Sequence, residues 1–486
     1  MGLKKDLESG VLYTSLAKYA GVFITLGVSA VLARLFTPQQ FGIINIATVF
    51  IAFFAVFSDL GLGPAVIQKR DLTERDLRGV FSLTLWMAVM LSLIFISVSG
   101  LISRFYDGGE QLHKVLLILT ANLFFNTLNM VPNALLMKEK RFRFAAMRSL
   151  GVQLVCGAIA IVAALSGMGI YALTINPVLS GIAIFIINYS QHPLIPLLVP
   201  DRETVGKVFS FSAFQFGFQL VNYFSRNLDK LLMGRYMTMT ELGFYDKSYR
   251  LMMLPLQNIS FVITPVMHPV FAQIQDDRQY LSDAYIKVIK ILAYVGFPLT
   301  AAMFFMSEDL VLFVFGNQWG PSVPCFRILS LSVAFQIISS SSGAVFQAAN
   351  DTRRLFRCGV FTAVTMVLAI CMGIFVFGTT EMVAACLCLA FTANFIQGFS
   401  SLFCGSLKCG WGKFWKTLVR PFILCLLLSA VLWGASLLMT GIGNHLLALV
   451  IYSCLSAAVS CAFVQLTGEY DIVNKIKTVL CHSKKQ

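Results

Sequence analysis

Apolar stretches long enough to cross roughly 30 Å of hydrocarbon as a helix recur along almost the whole of this 486-residue chain. Inside a bilayer each backbone amide and carbonyl must be satisfied without water, and a chain of such segments does that as helices. The fold class is therefore all-α and polytopic, which excludes a soluble enzyme on one anchor. Composition agrees: 57% of residues are apolar, only 12% are charged and mean hydropathy is +0.78, whereas charged residues make up about a quarter of a soluble domain. The net charge of +14 does not mark a nucleic-acid binder, because no basic, aromatic-rich module stands clear of the apolar segments.

Cysteine chemistry adds no function. Most of the twelve Cys lie in or beside apolar segments, where a small, soft side chain packs well. Cys386 with Cys388 and Cys404 with Cys409 lack the paired spacing and histidine partners of a metal site, so neither metal nor cofactor is expected. The stretch after Met1-Gly-Leu-Lys-Lys5 runs to Ala33 without a small-residue cleavage site and reads as a retained first span.

Hydropathy places fourteen spans at about 11–33, 42–67, 80–103, 115–137, 145–166, 168–190, 208–233, 243–271, 288–306, 322–348, 356–378, 381–406, 418–439 and 444–466. With a cytoplasmic N-terminus, the inner connections collect Lys69, Arg70, Arg75 and Arg78, then Lys138, Lys140, Arg141 and Arg143, and comparable clusters further on. The outer connections hold only Arg34, Arg104, Lys114 and Arg235. That asymmetry puts both termini in the cytoplasm.

An internal repeat orders the spans. Leu32-Ala-Arg-Leu-Phe-Thr-Pro-Gln-Gln-Phe-Gly42 matches Met233-Gly-Arg-Tyr-Met-Thr-Met-Thr-Glu-Leu-Gly243 at a constant offset of 201, with Arg34/Arg235, Thr37/Thr238 and Gly42/Gly243 coincident. Six intervening spans give both copies the same direction, a parallel repeat. The expected organisation is a six-helix lobe with its linker over 1–206, a second six-helix lobe over 207–406, and two appended helices with a basic tail over 407–486. The Pro-rich stretch 191–206 is the linker.

Particular helix faces carry the functional signal. In span 7, Ser212, Gln215, Gln219, Asn222, Arg226 and Asp229 alternate at three- and four-residue spacing on one face, with Lys230 beside them. Span 1 carries Thr14, Lys18, Gly21 and Thr25 one repeat earlier. Span 4 carries Asn122, Asn126, Asn129 and Asn133, answered by Ser332, Gln336, Ser339 and Gly343 in span 10. Span 8 aligns Asp246, Arg250, Gln257, Ser260 and Thr264, and span 2 adds Asn45 and Asp59. Polar stripes face inward, either toward other helices as hydrogen-bonding glue or toward a wet cavity.

The intramembrane charges favour a cavity. Lys18, Arg148, Arg226, Lys230, Lys247, Arg250 and Arg327 outnumber Asp59, Asp229 and Asp246. Arg148 and Arg327 lie near span ends, where they snorkel or cap. Lys18, Arg226 and Arg250, with Lys230 and Lys247 beside them, describe a cationic lining that implies an anionic cargo. Asp59, Asp229 and Asp246 are candidates for ion coupling or for counter-ions. Thr14, Thr25, Asn45, Asn122, Asn126, Gln215, Gln219, Asn222, Gln257 and Gln336 are the expected polar lining.

Several of these segments carry a family resemblance. Ser9-Gly10 through Val31-Leu-Ala-Arg-Leu-Phe-Thr-Pro-Gln-Gln-Phe-Gly42, Asp59-Leu-Gly-Leu-Gly-Pro-Ala-Val-Ile-Gln68, Asn227-Leu-Asp-Lys-Leu-Leu-Met-Gly234, Phe271-Ala-Gln-Ile-Gln-Asp-Asp277 and Phe315-Gly-Asn-Gln-Trp319 resemble the Wzx-type polysaccharide flippases, nearest the colanic-acid and teichuronic-acid exporters. The likeness covers roughly residues 1 to 410. It implies the fold of the multidrug/oligosaccharidyl-lipid/polysaccharide superfamily, two six-helix bundles around a central cavity that alternate between inward-open and outward-open states. It also implies a cargo, an undecaprenyl-pyrophosphate-linked oligosaccharide moved to the outer leaflet of the bacterial cytoplasmic (inner) membrane. Expected partners are membrane lipids, a polysaccharide polymerase and a chain-length regulator.

Pyrophosphate suits Lys and Arg donors, and sugars suit Asn, Gln and Ser. The alternatives are a multidrug or ion antiporter or a peptidoglycan-precursor flippase of the same superfamily and, from another class, a membrane polysaccharide polymerase or glycosyltransferase. The positive excess disfavours cationic cargo. The outer loops are short and Glu308-Asp309 lacks supporting ligands, which disfavours an enzyme.

The topology is directly testable on a cysteine-free background. In intact cells a cysteine at Gly108 should react with an impermeant thiol reagent, and cysteines at Arg75 or Arg141 should be shielded; labelling at Arg75 would invert the orientation.

Overall fold

The computed structural model describes residues 2–58, 62–68, 72–197, 219–220, 223–224, 226–274, 277–439 and 444–468. Among them eleven helices are long and apolar enough to span a membrane, and a twelfth span forms if Ser322–Ser330 and Val333–Ala348, bent by 47°, are taken together. Each of the twelve corresponds to an expected span. Of the other two, 208–233 lies largely outside the described residues, and 243–271 falls within a 34-residue helix, Met239–Ala272. The count therefore stops short of the expected fourteen.

The chain divides into two compact units, Met1–Gly243 and Phe244–Gln486. The first contains α1 (Gly2–Leu35), α2 (Pro38–Ser58), α3 (Leu62–Gln68), α4 (Glu74–Phe105), α5 (Gly109–Leu128), α6 (Met130–Lys138), α7 (Phe142–Leu165) and α8 (Ala172–Gln191), followed by the start of α9 (Met239–Ala272). Starts are fixed by capping: Thr73 and Asp76 exchange side-chain and backbone hydrogen bonds at α4, at 3.0 and 3.2 Å.

Within this unit α1 packs on α7, α4 on α5, and α5 on both α2 and α8. Buried amides fasten these contacts. Asn188 of α8 donates to Asn129 Oδ1 at 2.7 Å and accepts from Arg148 of α7. Arg148 thus reaches into the bundle instead of snorkelling out of it. Leu62, Val66, Val80, Phe81, Leu128 and Val131 belong to one apolar core. The first part of the expected linker is strapped to α4: Arg78 Nε donates to Ile195 O at 2.9 Å, and Leu197 N donates to Ser82 Oγ at 2.6 Å.

The second unit contains the rest of α9, then α10 (Arg278–Phe305), α11 (Ser307–Phe315), α12 (Ser322–Ser330), α13 (Val333–Ser339), α14 (Ser342–Ala348), α15 (Thr352–Cys371), α16 (Thr380–Ser400), α17 (Trp411–Leu438) and α18 (His445–Leu466). π-helical segments, Met372–Phe377 and Ser401–Ser406, end α15 and α16. Ser330 and Ser332, and further on Ser340, Ser341 and Ser342, stand at the breaks of the bent span, their hydroxyls returning to backbone carbonyls three residues back. Arg327, expected to snorkel or cap, donates its Nε to Ser307 Oγ at 2.8 Å. Tyr285 stacks on Phe399 and Phe403, which in turn meet Phe414, and Phe395 packs on Phe399. The α17–α18 pair packs against α10 and α11 through Leu428, Leu432 and Tyr452, with His445 Nδ1 2.8 Å from Asp309 Oδ1.

A polar knot closes the end of this unit that charge placement puts in the cytoplasm. Asp351 caps α15 by accepting from Arg354 N at 3.2 Å, and it accepts from Ser406 Oγ at 2.8 Å. Ser406 O accepts in turn from Arg278 at 2.9 Å. Burial alone would raise the Asp351 carboxyl, but the Ser406 hydroxyl and the Arg354 amide and guanidinium outweigh it and hold it below the usual carboxylate range. Because the folded value is the depressed one, this stabilisation is present above the unfolded value and is lost as pH falls through the folded value.

Asp351→Ala should therefore lower stability in detergent by about 1 kcal/mol, read by thermal unfolding, and Asp351→Asn, which keeps a capping oxygen, should recover most of the loss.

Candidate functional site

A cavity of about 380 Å³ lies among α2, α3, α5 and α6 of the first unit, within the roughly 300–1,000 Å³ range of ligand pockets. Ile51, Ala55, Ile67, Leu123, Met130 and Met137 give it apolar walls. Ser58, Asn126, Thr127 and Asn133 supply the polar groups, and Ser58 Oγ lies 2.8 Å from Thr127 Oγ1.

The Asn stripe of α5 and α6 splits into two jobs. Asn122 donates to Pro177 O of α8 at 2.5 Å, and Asn129 accepts from Asn188, so these two are interhelical glue. Asn126, which is exposed, and Asn133 line the cavity. The helix break at Asn129 separates the pairs. Thr25 belongs with the glue: its hydroxyl accepts from Gln153 of α7 and donates to Gly21 O at 2.9 Å. Gly21 itself sits 3.0 Å, measured from an added Cβ, from the Gln153 amide oxygen. The expected α1 lining thereby contracts to Lys18, which is half-buried, since the side chain of Thr14 lies outside the described residues. Asn45 is half-buried in α2, with its Nδ2 enclosed and lacking a hydrogen-bond partner.

Further along the same unit, Arg226 is exposed, Lys230 is half-buried, and Asp229 is buried with Oδ1 accepting from Lys230 N at 2.8 Å. Gln219 is half-buried. Gln215, Asn222 and Asp59 lie outside the described residues.

The second unit separates its own candidates just as sharply. Arg250 and Gln257 of α9 are exposed. Asp246 is buried, and Lys247 is 1% exposed, with its ammonium 5.0 Å from the centre of the Phe315 ring and 5.6 Å from that of Trp319. Aromatic faces attract a cation at such distances, so Lys247 is held in the core of its unit and is removed from the expected cavity lining. Its neighbour Ser248 donates to Ser322 O at 2.8 Å. Gln336 is also withdrawn, donating to Ser332 Oγ at 2.7 Å and approaching Met252 Sδ at 3.4 Å.

Sequence reasoning missed the aromatic box around Lys247 and the Ser58–Thr127 pair. The signal for the box was present: Phe315 and Trp319 flank Gly316, whose φ of 98° turns the chain back onto α9.

Residues 31–324 match the family described as polysaccharide biosynthesis protein. The chain belongs to this family. The teichuronic acid biosynthesis protein TuaB of Bacillus subtilis is 24% identical over 441 residues, covering 90% of each chain. The lipopolysaccharide biosynthesis protein WzxC of Escherichia coli is 24% identical over 383 residues, covering 77% of this chain and 76% of its own. Among solved structures, the lipid II flippase MurJ in an inward closed conformation superposes with a TM-score of 0.74 at 13% identity, over 94% of this chain and 98% of its own. An inward-facing multidrug resistance MATE transporter of the MOP superfamily gives 0.59 at 16% identity, over 80% and 95%. At those identities the likeness shows the fold: a multi-pass membrane protein of the MurJ and MATE architecture.

The division of the candidates into accessible and withdrawn groups is testable. Arg226→Ala and Arg250→Ala should each reduce surface polysaccharide at least several-fold at normal membrane levels of the protein. Gln336→Ala and Thr25→Ala should mainly lower stability, by about 1 kcal/mol or less.

Proposed function

We propose that this protein moves a lipid-linked oligosaccharide from the cytoplasmic to the outer leaflet of the bacterial inner membrane by alternating access, as a step in making capsule, exopolysaccharide or O-antigen. The observation that carries the reading is the family match over residues 31–324, joined by relatives named for polysaccharide biosynthesis along most of the chain. A further relative, the succinoglycan biosynthesis transport protein ExoT of Rhizobium meliloti, is named for transport.

The chemistry supports a diphosphate-linked sugar as cargo. Arg226 and Arg250, both exposed on helices that carry polar faces, suit a compact multiple anion. Asn126 and Asn133 with Ser58 and Thr127 offer amide and hydroxyl partners to sugar, and the apolar walls beside them suit its C–H faces. The lipid chain needs neither and stays in the bilayer. Lys18, Arg226 and Lys230 are the cationic groups the first unit offers to the cargo and Arg250 the one the second unit offers, and Asp229 and Asp246 serve as counter-ions or as the coupling groups. The protein forms no covalent bond with its cargo in this reading. Its lobes are 1–206 and 207–406, with 407–486 appended and both termini in the cytoplasm. A polymerase and a chain-length regulator receive the product.

Deletion of the gene should abolish surface polysaccharide while the lipid-linked repeat unit accumulates in the inner leaflet, and drug susceptibility should stay unchanged. Loss of drug resistance with polysaccharide intact would indicate the antiporter, and lysis with accumulation of peptidoglycan precursor the other flippase. Surface polysaccharide that is normal in the deletion strain would overturn the proposal.

A further inference from the structure

The two copies of the internal repeat meet at their glycines. Helix α2 begins with a capping box in which Thr37 N donates to Gln40 Oε1 at 2.9 Å and Gln40 N donates to Thr37 Oγ1 at 3.4 Å. Helix α9 begins with the same device 201 residues later: Thr238 N donates to Glu241 Oε2 at 2.8 Å, and Glu241 N donates to Thr238 Oγ1 at 3.2 Å. Two residues beyond each box stands the glycine. A Cβ added at Gly42 would lie 1.9 Å from Met239 O, and one added at Gly243 would lie 2.1 Å from Pro38 O. Pro38 and Met239 are themselves repeat equivalents, so the contact is reciprocal. All four residues lie in the first unit.

Backbone touches backbone here. The hydrogen that each glycine carries in place of a side chain is aimed at a carbonyl oxygen of the opposite helix, a weak Cα–H···O contact made twice. Small residues allow helices to approach this closely in a membrane. The contact also brings together two helix N-termini, each bearing partial positive charge, which opposes a permanent union. The atoms nearest each glycine across the contact are backbone atoms. Charge placement puts this end of both helices on the outer side, since Arg34 and Arg235 belong to outer connections.

We propose that Gly42 and Gly243 are positioning residues for transport, and that the crossing of α2 and α9 at these glycines is the outer gate, which parts and re-forms at a backbone-to-backbone contact. The proposal rests on the transport reading above. Its test does not require the cargo to be known, because it reads the gate itself.

On a cysteine-free background, Met233→Cys places a fully buried thiol next to the repeat segment. Gly42→Ala should raise its labelling by an impermeant reagent in intact cells several-fold, because the added methyl collides with backbone that cannot rotate away. Gly243→Ala should do the same. The double variant should label about as much as either single one, since a gate already parted has no contact left to lose. Gly151→Ala, in open space, should change nothing.

With both glycines intact, a bis-maleimide reagent bridging cysteines at Gln39 and Thr240 should stop export, and neither single cysteine should. Unchanged labelling of Met233→Cys in Gly42→Ala would overturn the proposal, and so would continued export by fully bridged protein, an arm that stands even if the alanine variants fail to reach the membrane. Failure of the transport reading alone would leave the labelling result standing.

Discussion

A chain in hydrocarbon has no water to fall back on, and that condition governs every polar group described above. Backbone amides are satisfied by helix formation, which is why the described spans are built from helices. Side-chain amides have no such internal solution and must find one another. The Arg148–Asn188–Asn129 chain, Asn122 on Pro177 O and Gln153 on Thr25 are that requirement met. Each holds a pair of helices in one register, so the condition that makes polar residues costly also makes them specific. Polar groups left over after this pairing are the ones available to a cargo, and in the first unit Asn126 and Asn133 of the stripe are among them.

The same logic separates the cations. A lysine that cannot reach water is stabilised by faces of electron-rich rings, and Lys247 has two of them. Arg226 and Arg250 keep their heads outside the protein core. Two residues three positions apart on one helix, Lys247 and Arg250, thus have opposite roles: one anchors α9 to the segment around Phe315 and Trp319, and the other remains accessible.

The sequence read well where one periodicity had one meaning. Apolar length marked twelve spans that the structure contains, and the offset of 201 located two capping boxes and two glycines that proved to be equivalent in space as well as in sequence. It read less well where a helical face was equated with a cavity wall. Thr25, Asn122 and Gln336 do lie on polar faces, but a helix within a bundle has neighbours on several sides, and three- and four-residue spacing does not say which neighbour a face meets. Lys247 shows the limit most sharply: its ring partners are about seventy residues away in sequence, and only the turn at Gly316 brings them back. The linker was legible as a Pro-rich break, yet its early part is held to α4 by Ser82 and Arg78, contacts that composition does not encode.

The π-helical turns at 372–377 and 401–406 have a consequence of another kind. A π turn accommodates one residue more than an α turn does, and it typically appears as a single bulge inside an α-helix. Each segment therefore stores a spare residue at the end of a span, where losing it would tighten the last turn without rotating the packed faces of α15 or α16 that precede it. Gly373 against the backbone of Val383, and Phe403 against Phe414, show how much packing depends on that phase. Insertions and deletions are ordinarily ruinous in a spanning helix, because each turns every later side chain by about 100°. These two turns give the second unit places where the length of the chain can vary while the phase of the preceding helix is kept.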